Sequence, residues 1–152
     1  MSTHDHEFQT THGLRVLVPN WPAPPQIGAF CTTRTGGVSK APFDSLNLGR
    51  YVNDEAAAVT ENRARVRALL PAEPVWLKQV HGSRVWDADL AHAEGMIEAD
   101  AAVTTKTNTV LTVMAADCLP VLISGPDGGV IGAAHAGWRG LLDGVLENTL
   151  AA

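Results

Sequence analysis

The run Gly125-Pro126-Asp127-Gly128-Gly129 does most to limit what this chain can fold into, because it separates two short apolar segments, residues 119–124 and 130–134. Proline fixes φ, and Asp-Gly and Gly-Gly pairs accept the positive φ of tight turns, so the segments are predicted to fold back as antiparallel strands. Similar punctuation recurs upstream. Thr35-Gly36-Gly37 follows a strand predicted over residues 27–33, and His81-Gly82-Ser83 separates a strand at 75–80 from its predicted return at 85–88. Further short strands are predicted at 101–104 and 110–114, and the first ordered piece is expected at 14–18.

Helical spacing appears in two places. Val59, Val66 and Leu70 share a face of a helix predicted over 53–70, capped by Asn53 or Asp54 and stopped by Pro71 and Pro74. Its arginines, Arg63, Arg65 and Arg67, read as a solvated face. A second helix is predicted from Trp138 or Arg139 to Ala152, burying Leu141, Leu142, Val145 and Leu146. Many short strands with two helices make an α+β domain. The polar start, residues 1–13 with His4, His6 and His12, reads as a disordered tail before a domain over 14–152. The last helix stops without a capping residue, so the domain reads as incomplete at its C-terminus.

With 152 residues and 45% hydrophobic content, the chain is the size of one domain and can build a core. Its net charge of −5, with no basic run, speaks against nucleic acid or an anionic membrane as partner. The longest apolar stretch, 110–124, is interrupted by Asp117 and Pro120 and is too short to span a bilayer. Two cysteines, Cys31 and Cys118, make no disulfide framework, which suits free thiols in the cytoplasm.

Three residues of metal-ligating type stand in distinctive settings: His81 and His135 at strand ends, and Cys118 in an apolar run. One thiolate and two imidazoles would leave a fourth position open, as catalytic zinc sites do. Each residue alone also fits a plainer role, Cys118 as a small hydrophobe and the histidines as hydrogen-bonded side chains. Asp117 tips the balance for Cys118, since a carboxylate in an apolar strand is easier to explain beside a polar or metal-bearing cleft. From His135 to Gly140, small residues lead from a strand into a helix start, where unpaired N–H groups suit an anion. Arg139 there suits a phosphate or carboxylate contact and equally a surface ion pair.

Six blocks in order resemble the laccase-domain proteins, long labelled multicopper polyphenol oxidases. They are Cys31-Thr-Thr-Arg-Thr-Gly-Gly-Val-Ser39, Phe43-Asp-Ser-Leu-Asn-Leu-Gly49, Trp76-Leu-Lys-Gln-Val-His-Gly82, Glu98-Ala-Asp-Ala-Ala-Val-Thr104, Ala116-Asp-Cys-Leu-Pro-Val-Leu122 and Ala134-His-Ala-Gly-Trp-Arg-Gly140. The resemblance implies that His81, Cys118 and His135 are zinc ligands and catalytic residues. It implies phosphorolysis of adenosine, inosine, guanosine and methylthioadenosine, with adenosine deamination as well. Packed mixed sheets flanked by helices, related to a cysteine-hydrolase superfamily, are the fold it implies, in a monomer or homodimer. Arg34, Asn47 and Lys78 fall within matching blocks and join Arg139 as candidate contacts to nucleoside and phosphate.

Two other readings remain open. Cys118 suits a nucleophile, with His81 or His135 as its base, in hydrolysis of a peptidoglycan precursor. An inactive zinc-binding fragment also fits. Copper is disfavoured relative to zinc, because the sequence has no cluster of histidines sufficient for several copper centres.

Overall fold

A computed structural model of the chain describes residues 7–90 and 97–152, which form several small sheets and few helices in a mixed α+β arrangement. Residues 1–6 of the expected tail, with His4 and His6, and residues 91–96 of the loop expected before Ala101 lie outside the described residues. The chain divides into two compact units, Met1–Leu70 and Pro71–Ala152.

The first unit contains strands β1 (Glu7–Thr11), β2 (Leu14–Val18) and β3 (Cys31–Thr32) and helix α1 (Ala56–Arg67). Residues 7–11, expected within the tail, instead pair antiparallel with β2, from Glu7 opposite Val18 to Thr11 opposite Leu14. His12 and Gly13 turn the chain between them at positive φ, which lets the polar segment share the ladder of its apolar neighbour. The strand expected from residue 27 is only Cys31–Thr32. Leu14, Val16, Leu46 and Val66 form the core, with Phe30, Leu48 and Leu70 packed against it.

Helix α1 begins later than expected, with Glu55 at the N-cap and no side-chain cap. Asp54 is committed elsewhere: its carboxylate accepts from Ser39 Oγ at 2.6 Å, Asn47 Nδ2 at 2.9 Å and the Glu55 N–H at 2.8 Å. These bonds hold the Asp54 carboxyl below its usual range, Ser39 contributing most. The arginines are less solvated than expected, since Arg63 donates to Leu48 O and Arg65 to Gly36 O. Asn62, fully buried, joins helix to loops. It accepts from Val38 N and donates to Ser39 Oγ and to the carbonyls of Ser45 and Asn47.

The second unit carries β4 (Pro74–Val75), β5 (Leu77–Lys78), β6 (Val85–Asp87), β7 (Ile97–Glu98), β8 (Ala101–Thr104), β9 (Val110–Leu111), β10 (Leu119–Ser124), β11 (Ile131–Ala136), α2 (Trp138–Leu142) and α3 (Val145–Ala151). The main sheet has the order β10-β11-β8-β6. The hairpin expected around Gly125–Gly129 is present, with Ser124 opposite Ile131 and Leu119 opposite Ala136. Strand β11 also pairs antiparallel with β8, and β6 joins β8 in parallel. All four residues of β8 are buried, and successive side chains serve opposite faces: Ala101 packs with Ala134, Ala136 and Val145, and Ala102 with Leu77, Ile97 and Ala99.

Three sequence expectations fail here for physical reasons. Segments 75–80 and 85–88 do not pair with each other: β5 runs parallel to β7 and β6 to β8. The N–H groups of Val80, His81 and Gly82 are taken by the Asp100 carboxylate, so a hairpin ladder has no donors there. The strand expected over 110–114 stops at Leu111, and Met114 bonds to the Gln79 side chain instead. The last helix is two, because Gly144 takes φ +82 and ends α2; Leu142 is then 79% exposed although expected inside. Among the described residues no helix is long and apolar enough to cross a membrane.

Replacing Asn62 by leucine strands several buried partners at once, and is expected to destabilise by about 3 kcal/mol, read as a lower urea midpoint. A second expectation concerns acid. Asp89 accepts from the hydroxyls of Thr104 and Thr105 and the Thr105 N–H, which lowers its pKa to about 2. A depressed carboxylate stabilises the fold above its unfolded value of about 3.9 and loses that contribution as pH falls towards about 2. The thermal midpoints of wild type and Asp89→Asn should therefore differ at pH 5 and converge near pH 2. A gap that does not change with pH would count against this account.

Candidate metal centre

The structure brings His81, Cys118 and His135 together: their ligand atoms all lie within 4.8 Å of one another. His135 belongs to β11, where it is 3% exposed. Cys118 sits immediately before β10 and is half-buried, while His81 is exposed on the turn after β5. The two imidazole rings meet edge to face, with centroids 4.9 Å apart.

Asp100, 0% exposed, organises this corner. Its carboxylate accepts the N–H groups of Val80 at 3.0 Å, His81 at 2.9 Å and Gly82 at 2.9 Å. The same group lies 2.8 Å from His135 Nδ1, and its backbone carbonyl accepts the His135 N–H at 2.7 Å. With Nδ1–H held by a carboxylate, the lone pair of His135 is on Nε2, the arrangement common in histidines that bind metals. His81 adopts φ 62, a left-handed conformation uncommon outside glycine. Three successive N–H groups turned onto one carboxylate offset that conformational cost.

The donor set suits a metal ion. One thiol and two imidazoles match zinc or copper rather than magnesium or calcium. In a tetrahedral zinc site one sulfur and two nitrogens stand roughly 3.3–3.5 Å apart, so closing on an ion asks for a contraction of at most about 1.5 Å. The space for it depends on Gly137, where a Cβ would come within 2.9 Å of Cys118 Sγ and 3.3 Å of His81 Cδ2. Burial pushes the Cys118 thiol above its ordinary pKa, and the negative charges of Asp117 and Asp100 push it the same way. Those surroundings are ones a bound cation would neutralise.

Asp117, the charge that pointed to this corner in the sequence, is exposed, so no burial cost attaches to it. The carboxylate that is buried among apolar residues is Asp100, which the sequence reading assigned no role. It was open to the same reasoning, standing as a charge between Ala99 and Ala101-Ala102-Val103.

The other four site candidates are placed less directly. Lys78 Nζ is paired with Glu98 at 3.1 Å, and the exposed Arg139 lies over the Trp138 ring at 5.2 Å. The helix at whose entrance Arg139 was expected, α2, has only five residues. In the first unit, Arg34 is bound to Asp44, and the Asn47 carboxamide is spent on Gly49 and Asp54.

An α+β chain with a histidine-cysteine-histidine group of metal-binding type defines the class. The sequence profile of the multi-copper polyphenol oxidoreductase laccase family matches residues 28–152. A Pseudomonas aeruginosa protein named purine nucleoside phosphorylase is 51% identical over 134 residues, 88% of this chain and 54% of the relative. The Escherichia coli protein named purine nucleoside phosphorylase YfiH is 48% identical over 138 residues, 90% of this chain and 56% of the relative. Among solved structures, a Neisseria meningitidis protein matches with TM-score 0.83 and 45% identity over 90% of this chain and 56% of its own. YlmD from Geobacillus stearothermophilus matches with TM-score 0.79 and 32% identity over 93% and 56%. The chain belongs to the multi-copper polyphenol oxidoreductase laccase family. It spans about half the length of the curated relatives it matches.

Asp100→Asn keeps the shape of the side chain but weakens its hold on His135 and on the 80–82 turn. Zinc affinity, measured by competition with a chromogenic chelator, is expected to fall about 10–100-fold, and wild-type affinity in the variant would rule out this role for the carboxylate.

Proposed function

We propose that this chain carries the zinc centre of a purine nucleoside phosphorylase, with His81, Cys118 and His135 as ligands and with adenosine deamination as a second reaction at the same centre. The convergence of the three ligand atoms within 4.8 Å carries the reading, supported by relatives named purine nucleoside phosphorylase. In phosphorolysis a phosphate oxygen bonds to C1′ of the ribose as the bond from C1′ to the purine nitrogen breaks, and the base leaves with a proton. In deamination water adds at C6 of adenine and ammonia departs. Zinc, when bound, would supply a Lewis acid for the attacking oxygen.

The residues of the chain do the rest. Asp100 keeps the His135 imidazole in one tautomer and orientation, and its grip on the turn aims His81. Arg139, exposed on α2 directly after the Gly137 cradle, is the first choice for a phosphate contact. Lys78 and Arg34 would have to leave Glu98 and Asp44 to contact substrate, and Asn47 would have to give up its bonds to Gly49 and Asp54. Those three assignments rest on membership of the matching blocks.

Residues 14–152 are read as a portion of a single domain of this family, acting as a monomer or homodimer. Kinship with a cysteine-hydrolase-like superfamily has one support here, a cysteine within reach of two histidines. The free thiols Cys31 and Cys118 suit the cytoplasm.

The deciding experiment pairs metal content with turnover. Wild type should purify with stoichiometric zinc and release base from inosine and adenosine in a phosphate-dependent way, while Cys118→Ala loses both. Zinc-free protein with chelator-resistant turnover would overturn the reading in favour of a cysteine nucleophile.

A further inference from the structure

The main chain of Met114 is paired by a side chain. Gln79 Nε2 donates to Met114 O at 2.7 Å, and Met114 N donates to Gln79 Oε1 at 2.7 Å. A primary carboxamide has its donor and acceptor in one plane, so it engages both polar groups of a residue as a neighbouring strand would. The contact is partly buried, where such a pair of bonds is screened less by water.

Its position along the chain gives it meaning. Gln79 stands just before Val80 and His81, and Met114 leads through Ala115, Ala116 and Asp117 to Cys118. Asp100 ties the His81 turn to His135, but Cys118 approaches on a different segment. Regular pairing on that segment stops at Leu111, the end of β9, and resumes only at Leu119, opposite Ala136, so Cys118 is anchored by the ladder on one side and by the 112–117 approach on the other. Between Leu111 and Cys118, Thr112 Oγ1 donates to Val75 O at 2.6 Å, and the Gln79 clamp follows nearer the donors.

We propose that Gln79 is a positioning residue that sets the separation of His81 and Cys118 by clamping their two segments together. Its functional meaning rests on the metal reading above; the clamp itself rests on geometry. Losing either bond frees the Cys118 approach to drift, and an ion that needs both donors then binds less tightly. Thr112 provides a control, because it joins the same segments farther from the donors.

The test uses the 152-residue chain and compares wild type with Gln79→Leu, which removes both bonds, Gln79→Glu, which keeps the shape but sets a carboxylate against the Met114 carbonyl, and Thr112→Val. Zinc affinity is measured by chelator competition, and the cobalt(II) thiolate absorption band reports ligand geometry. Backbone relaxation of His81 and Cys118 is followed by NMR in the metal-free protein. Both Gln79 variants should bind zinc about tenfold or more weakly, with an altered cobalt band and looser His81 and Cys118 backbones, while Thr112→Val lowers the unfolding midpoint but binds zinc as wild type does. Wild-type affinity in the Gln79 variants, or equal loss in Thr112→Val, overturns the proposal. If wild type takes up no zinc, the metal reading fails by itself and the relaxation data decide the clamp: loosening confined to the Gln79 variants supports it, and unchanged relaxation overturns it. Should Gln79→Leu fail to fold, Gln79→Glu decides alone.

Discussion

The buried carboxylate of Asp100 is the interaction on which the second unit depends. A carboxylate with no solvent exposure is tolerable only if its oxygens are satisfied, and here three successive main-chain N–H groups and an imidazole do so. The consequences reach outward in both directions along the chain. Because 80–82 is wrapped on Asp100, His81 is held at positive φ and β5 and β6 part to join different neighbours. Because Asp100 also bonds to His135 through backbone and side chain, the ring on β11 is tied to the turn that carries His81.

Small residues make that arrangement possible. Ala101, Ala102, Ala133, Ala134 and Ala136 are all nearly inaccessible, and their size lets both faces of β8 be covered at short range. Gly137 removes the one atom that would crowd Cys118 and His81. The site is thus set by what the chain omits as much as by its three donors, and it sits at the end of a strand whose register is fixed on both sides.

Local chemistry was well expressed in the sequence. The Pro-Asp-Gly-Gly turn and the strands at 101–104 and 119–124 fall where turn residues and periodicity put them. The six family blocks named the donors that the structure gathers. Less legible were contacts between distant residues. Asp117 drew attention because it interrupts an apolar run, yet it faces solvent, whereas Asp100 does the burying; which of two carboxylates turns inward is a question of packing. Leu142 followed the helical spacing but not the helix, which Gly144 cuts short.

Sequence by itself determined the turn positions, the α+β class, the kinds of donor available and the family. Turn propensity and side-chain chemistry act over a few residues, so they leave a local pattern that can be read directly. Tertiary structure alone decided that Asp100 joins two histidines, that Gln79 takes a strand's place beside Met114, and that the 75–80 and 85–88 segments separate. Those bonds link residues 18 to 35 positions apart, and nothing in a local pattern specifies a partner at such a distance until the fold has brought the two together.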